Sequence, residues 1–225
     1  MIRPALTLLA VLAAVPAAAA ERRFDASGFD KVALGGSDDV VVRQGSAFSV
    51  VAVGDADELD RLEITVKDGT LNIGRKKGNW SWSSKDVAVT VTLPALRGLA
   101  LAGSGDIQAD KGASDVFGMR LAGSGRLTLA ALDAKTANIA ISGSGTVKSA
   151  GRCGALNLRV AGSGVAELAG LRCTNASISV AGSGDVSAHV AGEAAVRVAG
   201  SGDVTIAGGA RCTKKIAGSG NVVCS

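Results

Sequence analysis

Seven Gly-Ser-Gly triplets, starting at Gly103, Gly123, Gly143, Gly162, Gly182, Gly200 and Gly218, hold residue types that bind phosphates or metals in other chains. A Walker loop also needs Gly-Lys-Ser/Thr, so that a lysine reaches the phosphates, and a dinucleotide fingerprint needs a further glycine opening a helix. Neither pattern surrounds these triplets. Glycine-aspartate repeats bind calcium in parallel β-rolls, so the residue after each triplet is informative: Asp106, Arg126, Thr146, Val165, Asp185, Asp203 and Asn221 in turn. An arginine and a valine interrupt any ligand ladder. Asp185 and Asp203 leave two readings open: carboxylates pointing into water, or a weak cation site shared with Asn221.

Acid–base or glycosidase chemistry needs carboxylates, or a carboxylate with Arg or Lys, converging on one cleft. The positions alternating with apolar residues are mostly Ser, Thr, Gln and isolated charges. His189, the sole histidine, has Glu193 four residues on and reads as a surface side chain. The triplet serines lack a histidine partner, and no Gly-x-Ser-x-Gly elbow occurs. The sequence therefore predicts no catalytic residue, no cofactor and no metal site. One segment reads as a ligand contact: RKKGNWSWSSK, residues 75 to 85. Trp80 and Trp82 lie two apart, which puts both indoles on one side of a strand, beside Arg75, Lys76, Lys77 and Lys85. There they can stack on a sugar; ordinary burial of both rings is the competing reading.

The elements that carry these residues follow from the spacing of the triplets, which recur every 20, 20, 19, 20, 18 and 18 residues. Apolar residues two apart flank each one, such as Leu99 and Leu101 before the first and Ile107 after it. That alternation means strands with one buried face, and a fixed period near this length means a solenoid. We read an all-β parallel β-helix with about 18 to 20 residues per coil. An up-and-down meander would place successive turns at alternate ends, whereas every triplet holds the same phase. A three-residue corner needs glycine at a positive φ, and stacked corners leave no room for Cβ atoms. Gly105, Gly125, Gly145, Gly164, Gly184, Gly202 and Gly220 complete the triplets. We expect Gly164→Val or Gly202→Val to destabilise through strain at positive φ.

Residues 99–225 carry the regular coils, and 21–98 read as irregular coils of the same domain that cap its first end. Asp68-Gly69 signals a hairpin, residues 54 to 62 a short helical turn capped by Asp55, and Gly36-Ser37-Asp38 a degenerate eighth corner. Residues 1–20 read as a signal peptide: Arg3, then an apolar run from Ala5 to Val15, then alanines to Ala20. That run is too short to span a bilayer, and with no cysteine at the cut a lipid anchor is not expected. We expect an exported protein of the periplasm, cell surface or medium. Four cysteines then mean two disulfides. Cys153 and Cys173 each fall nine residues before a triplet, at equivalent places in consecutive coils, which leaves Cys212 with Cys224 to staple the last. No Cys-x-x-Cys spacing supports zinc instead. A formal charge of +4 is too weak to imply nucleic acid. Aromatics are only 3% against 31 glycines, so the interior must be narrow and aliphatic.

The repeated AGSGDV corners, preceded by VVVRQGSAFSVVAVGDADELDRLEITVKDGTLNIG, resemble the bacterial putative autotransporter adhesin head GIN domain over residues 24 to 224. The resemblance implies a right-handed parallel β-helix shaped like the pectin lyases but without their catalytic residues, and a role in cell-surface adhesion. It brings no catalytic site. The resulting expectation is a non-enzymatic envelope module that binds a surface glycan or envelope component. Its last coil offers open strand edges for self-association. The alternative is a polysaccharide-active, pectin-lyase-like enzyme.

Overall fold

The computed structural model describes residues 19–76 and 87–225. Residues 1–18 of the expected signal peptide lie outside the described residues, as do Lys77, Trp80, Trp82 and Lys85. In chain order, β1 (Ala20–Phe24), β2 (Lys31–Gly36), β3 (Asp39–Gln44) and β4 (Ser49–Gly54) precede a short helix, α1 (Ala56–Arg61). Then come β5 (Leu62–Lys67), β6 (Thr70–Arg75), β7 (Ala88–Leu93) and β8 (Gly98–Gly103). Four long strands, β9 (Asp106–Gly123), β10 (Arg126–Gly143), β11 (Thr146–Gly162) and β12 (Val165–Gly182), each carry the chain from one corner round to the next. Shorter strands finish the stack: β13 (Asp185–Val190), β14 (Glu193–Gly200), β15 (Val204–Ala207), β16 (Arg211–Gly218) and β17 (Val222–Cys224). The result is a β-solenoid of about 6 turns.

Every pairing between successive coils is parallel and brings triplet onto triplet, with Gly143 beside Gly123 and Gly162 beside Gly143. Two faces meet at the ridge of corners. We call the strand running into a corner the incoming face, and the strand leaving it the outgoing face. A third segment joins them behind, at residues 111–115, 131–135, 151–154 and 171–174, beyond register shifts such as that between Leu129 and Leu132. Inward residues of one coil, Leu127 and Leu129, Leu132 and Ala134, then Ala137, Ile139 and Ile141, are all buried. Aliphatic columns of this kind fill the interior. Between β12 and β13 the register jumps from Leu168 to Arg172, so residues 169–171 have no partner in the next coil. This loss shortens the last repeats.

The corner glycines divide the work. The first of each triplet takes a positive φ, from 111° at Gly162 to 139° at Gly103. The third does not, contrary to the strain expected for Gly164 and Gly202: what excludes a side chain there is contact. A Cβ on Gly202 would meet the Gly184 carbonyl oxygen at 2.3 Å, and one on Gly164 the Ile141 side chain at 2.5 Å. Corner N–H groups are spent between coils, since Ser124 and Gly125 both donate to the Gly103 carbonyl, at 3.0 and 3.2 Å. At the corners of Gly103, Gly123 and Gly143, where the second and third N–H groups are both bonded to the coil before, they are not free to hold a phosphate.

The first end departs from sequential winding. β2 and β3 meet at the corner Gly36-Ser37-Asp38, and Gly36 lies beside Gly103. On their other side, β2 pairs with β6 and β3 with β7, both parallel. Residues 31–44 are thus stacked between later stretches of chain. Antiparallel strands finish this end: β5 against β6, and β4 against β7, with β1 outermost on β4. Asp55 caps α1 by accepting from the Asp57 N–H. Arg22 and Lys76 donate to the carbonyls of Leu59 and Asp60, near its C-terminus, both at 2.9 Å.

Candidate functional site

Alternation along the strands of the incoming face leaves three outward columns, and their residues are set by distance from the corner. Nearest it run Gly35, Ala102, Ala122, Ser142 and Ala161. The middle column reads Ala33, Ala100, Arg120, Ala140 and Arg159, and continues through Ser179 and Arg197 to Lys215. Farthest from the corner are Lys31, Gly98, Gly118, Asn138 and Asn157, where the Asn157 amide donates to the Asn138 side chain at 2.9 Å. Two grooves of about 680 Å³ each run beside the middle column. One is floored by the Gly35–Ala161 column and walled by Glu63 and Thr65 of β5. The other is floored by Gly98, Gly118, Asn138 and Asn157. Ala100, Arg120, Ala140 and Arg159 border both.

These arginines were missed in the sequence, though a signal was available. Arg120, Arg159, Arg197 and Lys215 each stand three residues before a triplet. Aligning the coils on their triplets puts all four in one file.

Of the residues grouped with the tryptophans, Arg75 and Lys76 are described, and both are engaged within the fold. Arg75 is turned inward: its Nε donates to Asp38 Oδ2 at 3.0 Å, its Nη2 to Asp38 Oδ1, and its Nη1 to Glu58 Oε2 at 2.5 Å. Asp38 is fully buried, and also accepts from the Val87 N–H at 3.2 Å. Burial opposes the Arg75 charge most strongly, but the bonds and charges of Asp38 and then Glu58 outweigh it and raise its pKa above the ordinary arginine value. Arg61 completes the network on Glu58 Oε1 at 3.1 Å. Asp38 fills the place that the third glycine has in later corners. Its side chain fits because the coil beneath holds Arg75 rather than another triplet.

Asp185 and Asp203 each accept a backbone N–H from the next coil, from Asp203 at 3.3 Å and from Asn221 at 3.0 Å. Asp106 accepts in the same way from Arg126 at 3.1 Å. These bonds offset part of the repulsion between the stacked carboxylates, and no group of three metal-ligating side chains occurs among the described residues. His189 pairs in register with Arg172 and Ala207 and sits against the backbone of Gly208. Disulfides join Cys153 to Cys173, Cα atoms 4.5 Å apart, and Cys212 to Cys224, 6.7 Å apart.

Several solved structures share this fold. A putative adhesin from Bacteroides fragilis aligns over 93% of this chain and 98% of its own, with a TM-score of 0.88 at 22% identity. A putative lipid binding protein from Parabacteroides distasonis aligns over the same shares, with a TM-score of 0.74 at 21% identity. A putative adhesin from Parabacteroides merdae aligns over 93% and 97%, at 0.73 and 16%. No curated protein matches the chain in sequence. No described helix is long and apolar enough to cross a membrane. Residues 28–210, from before the first corner to beyond the sixth triplet, match the sequence profile of one family, and the chain belongs to it: the putative auto-transporter adhesin, head GIN domain.

Proposed function

We propose that this protein is an exported, non-enzymatic module of the cell envelope that binds a surface glycan or other envelope component through the outward side of its incoming face. The observation that carries this reading is the pair of grooves sharing Arg120 and Arg159, built on parallel strands hydrogen-bonded from coil to coil. Strands backed by an aliphatic core form a surface that needs no reordering on binding, so little conformational entropy opposes association. The adhesin family and the two disulfides are consistent with export. The alternative of a polysaccharide-active enzyme would have a single carboxylate in the grooves, Glu63 across from Arg120 and Arg159, because Asp38 and Glu58 are held by Arg75 inside the fold, and paired acid–base work needs a second. A glycan array probed with the mature protein tests the reading. Retained glycans with no new reducing ends on prolonged incubation are the expected result; cleavage of a bound polysaccharide would restore the enzyme.

A further inference from the structure

Charge is distributed differently on the incoming face than on the rest of the solenoid. Elsewhere, side chains one coil apart pair with opposite sign: Arg126 with Asp106 at 3.4 Å, Lys148 with Glu167 at 3.2 Å, Lys135 with Asp115 at 3.0 Å, and Arg152 with Asp133 at 2.5 Å. In the middle column of the incoming face, by contrast, Arg120, Arg159, Arg197 and Lys215 make no ion pair with any described residue. No acid stands in the three outward columns from β8 to β16. Arg120, Arg159 and Arg197 recur on every second coil. With coils about 4.8 Å apart, the guanidinium groups repeat about every 10 Å along a straight line.

We propose that this file binds an extended acidic polysaccharide carrying a carboxylate or sulfate on every second sugar, a partner class that refines the proposed function and rests on it. In an extended β-linked glycan each pyranose advances by close to one strand spacing, so alternate sugars come level with successive arginines. Guanidinium groups suit the task, since their planar donors match carboxylate and sulfate oxygens. The grooves on either side, floored by Gly and Ala in one and by Gly and Asn in the other, admit the flat bodies of the sugars. Anionic membranes fit less well. A membrane-binding face pairs its cations with long apolar side chains that insert, and alanine is too short to do so. Nucleic acid carries charge several times more densely, about 3.4 Å per phosphate on each strand.

The test measures binding of the purified protein to hyaluronan, a β-linked chain with a carboxylate on every second sugar, with dextran, a neutral glycan panel and vesicles of anionic phospholipid as parallel arms. Arg120→Ala/Arg159→Ala/Arg197→Ala removes the file. Lys135→Ala/Lys148→Ala/Arg152→Ala removes the same charge from the other faces, and Arg159→Ala/Ala140→Arg keeps the charge but breaks the period. Losing even one bidentate contact weakens binding about tenfold, so at least that loss is expected of the first variant. The second should retain nearly full affinity, and the third should fall severalfold. Equal losses in the first two variants, or full affinity in the third, would overturn the proposal, as would vesicles binding in place of hyaluronan. Capture of neutral glycans without hyaluronan would overturn it while leaving the proposed function standing; silence in every arm would remove both.

Discussion

At its N-terminal end the solenoid is closed by additional chain, whereas at its C-terminal end it is closed by one covalent bond and a lysine. The first end layers an antiparallel hairpin, a capped helix and the strand pair β1–β4 over its coils, and places Asp38, Arg75 and Glu58 beneath them. At the second end Cys212, Lys214 and Ile216 of β16 occupy the columns that Ala194, Val196 and Val198 fill in the coil before. Cys224 continues the column of Ile206 on the other face. The disulfide therefore crosses the open end of the core. The difference follows from how each end is specified. Coils stacked in sequence order can be tied by one local bond, as Cys212–Cys224 ties β16 to β17, while strands inserted out of order need partners that recognise one another across long stretches of chain.

Breaking the charged network should have the largest effect. Asp38→Ala leaves Arg75 partly buried with one partner removed, and loss of one member of such a pair costs about 3 to 5 kcal/mol. Chemical denaturation should show that loss. Asp38→Asn/Arg75→Met should lose less than the two single changes together, because the partners are in direct contact. Additive losses would show that the network does not hold this end. Removing the staple, by Cys212→Ala/Cys224→Ala, should cost about 3 kcal/mol for a loop this short. Hydrogen exchange should find that loss concentrated in β16 and β17, with β6 and β7 unaffected.

The same contrast shows what could be read from the sequence. The period of the triplets exposed the parallel stack, and alternation picked out inward residues such as Leu156, Leu158 and Val160, because both signals are local. Three local signals at the first end also found their places: the turn at Asp68-Gly69, the cap at Asp55 and the corner at Gly36. What the sequence did not show is that residues 31–44 lie between β6–β7 and β8–β9. Pairing partners of parallel strands are chosen by long-range contact, and the strands themselves carry no mark of order. The inward turn of Arg75 was hidden for the same reason, since Asp38 lies 37 residues away. The arginine file was hidden only by numbering, as its period appears once the coils are aligned.

One position in the triplet tests the ends against each other. A Cβ on Gly218 would meet the Gly200 carbonyl oxygen at 2.2 Å, whereas one on Gly36 meets nothing nearer than Asp38 Oδ2 at 4.0 Å. Both residues have positive φ, so both alanine variants bear strain of about 1 to 3 kcal/mol. Only Gly218→Ala adds a clash with backbone, which makes it the worse by about 1 to 3 kcal/mol. Equal melting temperatures would show that the final coil yields without cost.

Lys214 should have the smallest effect on stability and a distinct one on assembly. Its backbone continues a core column, yet its Nζ reaches across to the Val222 carbonyl at 2.8 Å, and Lys215 stands beside it on the outward side. An inward charge on a terminal strand discourages a second chain from extending the sheet. Beyond it, Ile216 and Val223 are exposed at 45% and 47%, an apolar margin that would otherwise invite such pairing. Lys214→Val completes the apolar column at the cost of one exposed-end hydrogen bond, so the monomer should change by no more than about 1 kcal/mol. What should change is the molar mass in solution, which rises with concentration as bare ends meet. A variant that stays monomeric at high concentration would mean that the disulfide and the end geometry suffice to keep the edge single, and that the lysine has no part in it.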